Sequence, residues 1–243
     1  MERESGPQQD TLSPMTAETF SRSSWSRIAL LVLLMLLPWA CTGIGLFVLR
    51  DYRITMLVYG MICCILPTLL FRQHAIRFLP VRTNPLALVG MLLGFNLLIW
   101  GSFQLTQYGI DNLLFQERAK GIHLLFNRQV IEYGLYFVIM NPLLEETFWR
   151  GFIYNEWRRF LPIWPSRLIT SFFFGAWHWV IVQHFCPPLW AIVLAIAVMI
   201  GGLLFTLLYD KTGTLGTPVL VHGLGVDLPL LLIVLHLLRT SPY

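Results

Sequence analysis

Residues 28–49 read IALLVLLMLLPWACTGIGLFVL, 22 residues without a charge. A helix rises about 1.5 Å per residue and a bilayer core is about 30 Å thick, so a run of this length predicts a membrane-spanning helix. It exceeds the roughly 7 to 15 residues of a signal-peptide core and has no A-x-A-like cleavage site, so it is expected to remain as the first span. The same pattern returns along the chain. Arg27–Leu49, Ile54–Phe71, Pro85–Leu105, Gln129–Trp149, Leu168–Phe185, Leu189–Tyr209 and Thr217–Leu238 are seven candidate spans. The expected fold class is all-α: a polytopic membrane helix bundle of about seven transmembrane helices.

Composition agrees with this setting. The 243 residues are 56% hydrophobic and 12% charged, against about 25% charged in a soluble domain. The net charge of +4 is spread over 17 Lys and Arg that form no block, so a nucleic-acid partner is not expected. The lipid bilayer is. Residues 1–26, polar and of mixed charge, are expected as a disordered cytoplasmic tail, 27–128 as N-terminal spans, and 129–238 as a core carrying the chemistry. Thr106–Arg128 reads as an interfacial amphipathic stretch, and Gly151–Arg167 as a basic, aromatic connection at the membrane surface. Cys41, Cys63, Cys64 and Cys186 lack CxxC or metal-ligand spacing and read as packing thiols.

With seven spans, eleven Lys and Arg fall on the N-terminal side, Arg150 among them, and six on the other. The positive-inside rule then puts the N-terminus in the cytoplasm. A bacterial inner membrane is the expected location.

Glu145-Glu146-Thr147-Phe148-Trp149-Arg150 closes the fourth candidate span. A charge at the centre of a spanning helix costs about 2.5 to 3.5 kcal/mol on insertion scales, so adjacent carboxylates there point to function. Positions four apart share a helix face, so Glu146 and Arg150 are expected to pair, with Glu145 turned elsewhere and free for chemistry. Two snorkelling interfacial glutamates are the plainer alternative. His178 follows Phe174 by four residues, and His222 is flanked by Gly223 and Gly225, where another backbone or a substrate has room to approach. On the seven-span topology these groups share the cytoplasmic half of the bilayer. His74, His123, His184 and His236 do not share that depth and are left out of the site.

Taken in order, Glu145-Glu146-x-x-x-Arg150, Phe174-x-x-x-His178 and a helix opening with His222 resemble the CPBP family of intramembrane proteases. That family includes type II CAAX prenyl endopeptidases and bacteriocin-processing, Abi-like proteins. The resemblance covers roughly residues 129–238. It implies an endopeptidase in which Glu145 and His178 activate a water and His222 helps stabilise the oxyanion, with a membrane-associated peptide or protein as substrate. Glu146 joins the catalytic set, with Arg150 and Phe174 in support.

One element departs from the family pattern. The Asn usual four residues after the last histidine is Val226 here. Asp227 is next in line but lies about 140° from His222 on a regular helix, so either the helix is irregular near Gly223 and Gly225 or His222 and backbone amides act without it.

Glu145, His178 and His222 are the His₂Glu set that a divalent metal such as zinc would use, but no HExxH helix is present. A glutamate-activated water needs no cofactor, and none is expected. A proton-coupled transporter is a competing reading, although no inverted repeat or pair of broken helices supports it. A catalytically silent adaptor of the same fold is another, favoured by Val226.

Overall fold

The computed structural model describes residues 22–70, 81–107, 112–124 and 130–239. Among the described residues every element is helical and no strand occurs. Residues 1–21 of the expected tail, the loop charges Arg72, Arg77 and His74, and Arg128 lie outside the described residues.

Helix α1 is Arg22–Gly43, prolonged by wider π-type turns over Ile44–Leu49. Residues 22–26, assigned above to the tail, are therefore helical. Helix α2 runs without a break through Tyr52–Val58, Tyr59–Ile65 and Leu66–Leu70. Asp51 starts it, its carboxylate accepting from the Ile54 amide at 3.0 Å. Helix α3 is Pro85–Thr106, opened by an Asn84 cap and by Pro85 at the first position, where a missing N–H costs nothing. Helix α4 is the short Asn112–Gly121.

Helix α5 is continuous from Val130–Leu135 through Tyr136–Met140, Asn141–Glu146 and Thr147–Tyr154 to Asn155–Trp157. The span expected to end at Trp149 thus continues two turns further, into what read as a surface connection. The cause is packing: Phe152, Ile153, Tyr154 and Trp157 are all buried. Helix α6, Ile163–Phe185, begins five residues before its expected start, behind Pro162. Helix α7 is Pro188–Thr212 and stops at Gly213, whose φ of 65° is the left-handed cap that glycine adopts without strain. Helix α8 comprises Gly216–Leu220, π-type Val221–Asp227 and Leu228–Arg239.

Among the described residues four helical stretches are long and apolar enough to cross a membrane: Trp25–Leu49, Pro85–Gln104, Pro188–Thr212 and Gly216–Leu238. The chain is a multi-pass integral membrane protein. Its surface is inverted accordingly, with Leu86, Leu93 and Leu98 exposed on α3 and Leu97 74% exposed, while Glu145, Glu146 and Arg150 of α5 are inside. Only 6% of the α3 window is buried, as for a helix whose solvent is lipid.

The largest core cluster joins α1, α2, α5 and α6 through Met35, Tyr59, Cys63, Phe148, Trp149, Phe174 and Trp177. Helices α6 and α7 pack closely because Gly175 lies against the Met199 backbone, where any Cβ would clash. At one end Asp210 of α7 accepts from Arg167 at 2.7 Å and from Tyr154 at 2.8 Å, tying α5, α6 and α7 together. On α4, Phe115, Gln116 and Ala119 are buried while Glu117 and Lys120 are exposed, and Gln116 donates to the Leu237 carbonyl at 2.7 Å. All four cysteines are free thiols.

Candidate active site

Glu145 and Glu146 sit near the middle of α5, not at its end. With 15 residues before Glu145 and 12 after it in the run Val130–Trp157, each end is roughly 20 Å away at about 1.5 Å per residue. Glu145 is 1% exposed; Glu146 and Arg150 are fully enclosed.

The i,i+4 pair forms as the helix geometry requires, with Arg150 Nη1 donating to Glu146 Oε1 at 2.9 Å. The guanidinium also donates from Nη2 to the Gly202 carbonyl of α7 at 2.8 Å and stacks over Phe174 at 4.3 Å. Arg150 is therefore a buried anchor between α5, α6 and α7, not a loop charge that reports topology. Without it the charge asymmetry is ten against six.

Glu146 has a second partner. His222 Nδ1 donates to the same Oε1 at 2.9 Å, which leaves Nε2 facing Glu145 Oε2 at 3.8 Å and Asp227 Oδ1 at 3.5 Å. Phe205 of α7 stacks on the imidazole, with centroids 4.9 Å apart and planes at 21°. The ring is thus fixed by a hydrogen bond in its plane and an aromatic face against it.

Asp227 reaches this position because Val221–Asp227 is π-type. Hydrogen bonds from i to i+5 widen the turn and return residues five apart to one face. The regular-helix angle used above therefore does not apply. Asp227 Oδ2 accepts from Asn141 Nδ2 at 3.4 Å, and Asn141 lies four residues before Glu145 on one face of α-helical Asn141–Glu146. A Cβ on Gly223 would strike the Val138 carbonyl, so only glycine lets α8 approach α5 this closely.

Glu145 Oε1 accepts from the Tyr59 hydroxyl of α2 at 3.1 Å, while Oε2 has no hydrogen-bond partner among the described residues. Tyr59 stacks on Trp177 at 4.6 Å, and Trp177 packs against His178 at 4.0 Å. His178 Nδ1 donates to the Phe174 carbonyl at 2.6 Å, so Nε2 carries the lone pair. His178 joins the carboxylates through Phe174, whose ring centroid is 4.8 Å from His178 and 6.2 Å from His222.

Such an arrangement suits hydrolysis of a polarised carbonyl. It offers a free carboxylate oxygen, an imidazole with an available lone pair, and a second imidazole held as a donor by two carboxylates.

Residues 127–225 match the family model of Rce1-like type II CAAX prenyl endopeptidases. Comparison with curated proteins and with solved structures gives no match. The matched stretch contains Glu145, Glu146, Arg150, Phe174, His178 and His222, and stops one residue short of Val226. The likeness to the Rce1-like family is thus confined to α5, α6, α7 and the first turns of α8.

The three potential zinc donors do not gather around a common point. Among the described residues no group of three His, Cys, Asp or Glu is arranged to hold a metal ion, and His178 Nδ1 is committed to a carbonyl.

Sequence reasoning missed Tyr59, Asn141 and Phe205. The signal for the first two was a lone polar side chain inside an apolar run; for Phe205 there was none. Two clefts among the described residues, one beside Trp39 and Trp179 and one beside Arg50 and Arg118, do not include the carboxylates. Glu145 is 1% and His222 4% exposed, so the site is closed in this state.

Proposed function

We propose that this protein is an intramembrane endopeptidase that hydrolyses a peptide bond of a membrane-associated or C-terminally anchored substrate. The observation carrying the reading is Glu145, 1% exposed in a lipid-surrounded bundle, with one oxygen tied to Tyr59 and the other facing His222 Nε2 at 3.8 Å. A single water can touch both atoms at that separation. The likeness of residues 127–225 to Rce1-like endopeptidases supports the same chemistry.

In this mechanism Glu145 takes a proton from the water as its oxygen attacks the carbonyl carbon of the substrate. Set among Glu146, Glu145 and Asp227, His222 acts as the imidazolium, with Nδ1–H on Glu146, and its Nε2–H meets the negative charge developing on the carbonyl oxygen. When the tetrahedral intermediate collapses, the C–N bond breaks and the amine leaves with a proton returned by Glu145. His178, with its lone pair on Nε2, shares that proton traffic. No cofactor takes part.

The proposal includes seven spans: α1, α2, α3, α5, α6, α7 and α8, with α4 at the interface. Helix α2 is short for a span, and the buried charges of α5 lower its hydropathy, yet both cross because Tyr59 of α2 and Glu145, Glu146 and Arg150 of α5 face protein. The cytoplasmic N-terminus, the bacterial inner membrane and the division into an N-terminal part to residue 128 and a core over 129–238 belong to the same proposal. The test is cleavage of anchored peptides by the purified protein in a bilayer, with Glu145→Gln as the inactive control; equal cleavage by both would refute it.

A further inference from the structure

The C-terminal ends of α1 and α6 meet α4 around a cleft of about 400 Å³ that the proposed proteolysis does not use. This lies within the roughly 300 to 1,000 Å³ of ordinary ligand pockets. Its polar wall is Arg50, Arg118, Gln183 and His184; its apolar wall includes Leu46, Phe47 and Ile122.

The cleft is a net cationic site. Among the described residues no carboxylate pairs with Arg50 or Arg118. The nearby Asp51 is occupied in capping α2 and in facing His123 at 3.9 Å, and Glu117 is exposed on α4 without lining the cleft.

Arg118 is held in place before any ligand arrives. Its Nη1 donates to the carbonyls of His184 at 2.8 Å and Gln183 at 3.4 Å, at the end of α6. A guanidinium has five N–H donors in a rigid fork, so Nε and Nη2 remain for an oxyanion. His184 Nε2 in turn donates to the Arg118 carbonyl at 3.4 Å.

Arg50 supplies an independent observation. It caps the end of α1 with φ 53° and ψ 38°, in the left-handed region. Glycine or asparagine fills such a cap with less steric penalty, and here an arginine fills it. Arg50 also lines the cleft.

We propose that this cleft binds the phosphate of an anionic phospholipid, with Arg50 and Arg118 as oxyanion ligands and Leu46, Phe47 and Ile122 against the glycerol and first methylenes. Basic pockets at the ends of spanning helices take lipid head groups in this way. The apolar wall separates a phospholipid from free phosphate, which has nothing to place there.

The test is lipid retention by the full chain in detergent, measured by native mass spectrometry. The probes are phosphatidylglycerol, phosphatidylcholine and inorganic phosphate, on wild type and on Arg50→Gln and Arg118→Gln. Arg118 ties α4 to α6 and its loss is liable to unfold the chain; Arg50 is exposed, so Arg50→Gln decides. Expected is preferential retention of phosphatidylglycerol by wild type, weakened about tenfold in Arg50→Gln, as for loss of one charge-assisted hydrogen bond, with unchanged helicity and no displacement by millimolar phosphate. Equal retention by wild type and Arg50→Gln, equal retention of the two lipids, or binding of inorganic phosphate alone would each overturn it.

Discussion

Glu145 and Glu146 are neighbours in sequence with different tasks, and their partners state the difference. Glu146 binds Arg150 and His222 through one oxygen, each at 2.9 Å, and removing one member of a buried ion pair costs about 3–5 kcal/mol. Glu146→Gln is therefore expected to lower folded protein in the membrane, read as loss of a monodisperse peak, whereas Glu145→Gln keeps that peak. His178→Ala and His222→Ala are expected to lower turnover by at least about 100-fold, the scale for an acid–base group or oxyanion donor. His236, edge-on to Phe103 and away from the carboxylates, should tolerate alanine. At Val226 and Asp227 the geometry favours the second residue: Val226→Asn should leave turnover unchanged, while Asp227→Ala, by releasing His222 and Asn141, should lower it at least about tenfold. A gain of activity in Val226→Asn would contradict that assignment. The Glu146–Arg150 pair was legible in the sequence because i,i+4 spacing needs only a helix. Tyr59 and Asn141 were not, since their partners lie 86 residues away and no local pattern encodes a contact at that range.

At the scale of elements, hydropathy located the helices but misjudged where α5 and α6 meet. Gly151–Trp157 looked like an interface for its aromatics and charges, yet tertiary burial of Phe152, Ile153 and Trp157 keeps it helical. The π-type stretch Val221–Asp227 was equally hidden: a widened turn leaves no period to read in seven residues, though Gly223 and Gly225 hinted at irregularity. Contact between α5 and α8 depends on the absence of a side chain at Gly223. Gly223→Ala is thus expected to lower the melting temperature and activity together. Gly90→Ala on the lipid face of α3, with no atom within 4 Å of the added carbon, should do neither. Thermal unfolding of both variants in detergent checks the contrast, and an unperturbed Gly223→Ala would mean that α8 does not approach α5 so closely.

For the whole molecule, the inversion of polarity was plain from composition, since 12% charged residues cannot cover a water-soluble surface. The number of crossings was less plain: α5, which carries Glu145, Glu146 and Arg150, is not among the four clearly apolar stretches. Orientation rests on ten basic residues against six once the buried Arg150 is set aside. In a cysteine-free background, a cysteine at position 5 is expected to react with a membrane-impermeant maleimide only after the membrane is opened; labelling from outside alone would reverse the topology. The site itself is closed in this state, so cleavage will be slow wherever helix separation is limiting. The most direct measurement is mass spectrometry of fragments released from a library of C-terminally anchored peptides by wild type and Glu145→Gln, both reconstituted in lipid nanodiscs and both shown to be folded. Glutamate-activated hydrolysis predicts fragments from wild type and none above background from Glu145→Gln; equal fragment yields from the two, or none from either, would contradict it.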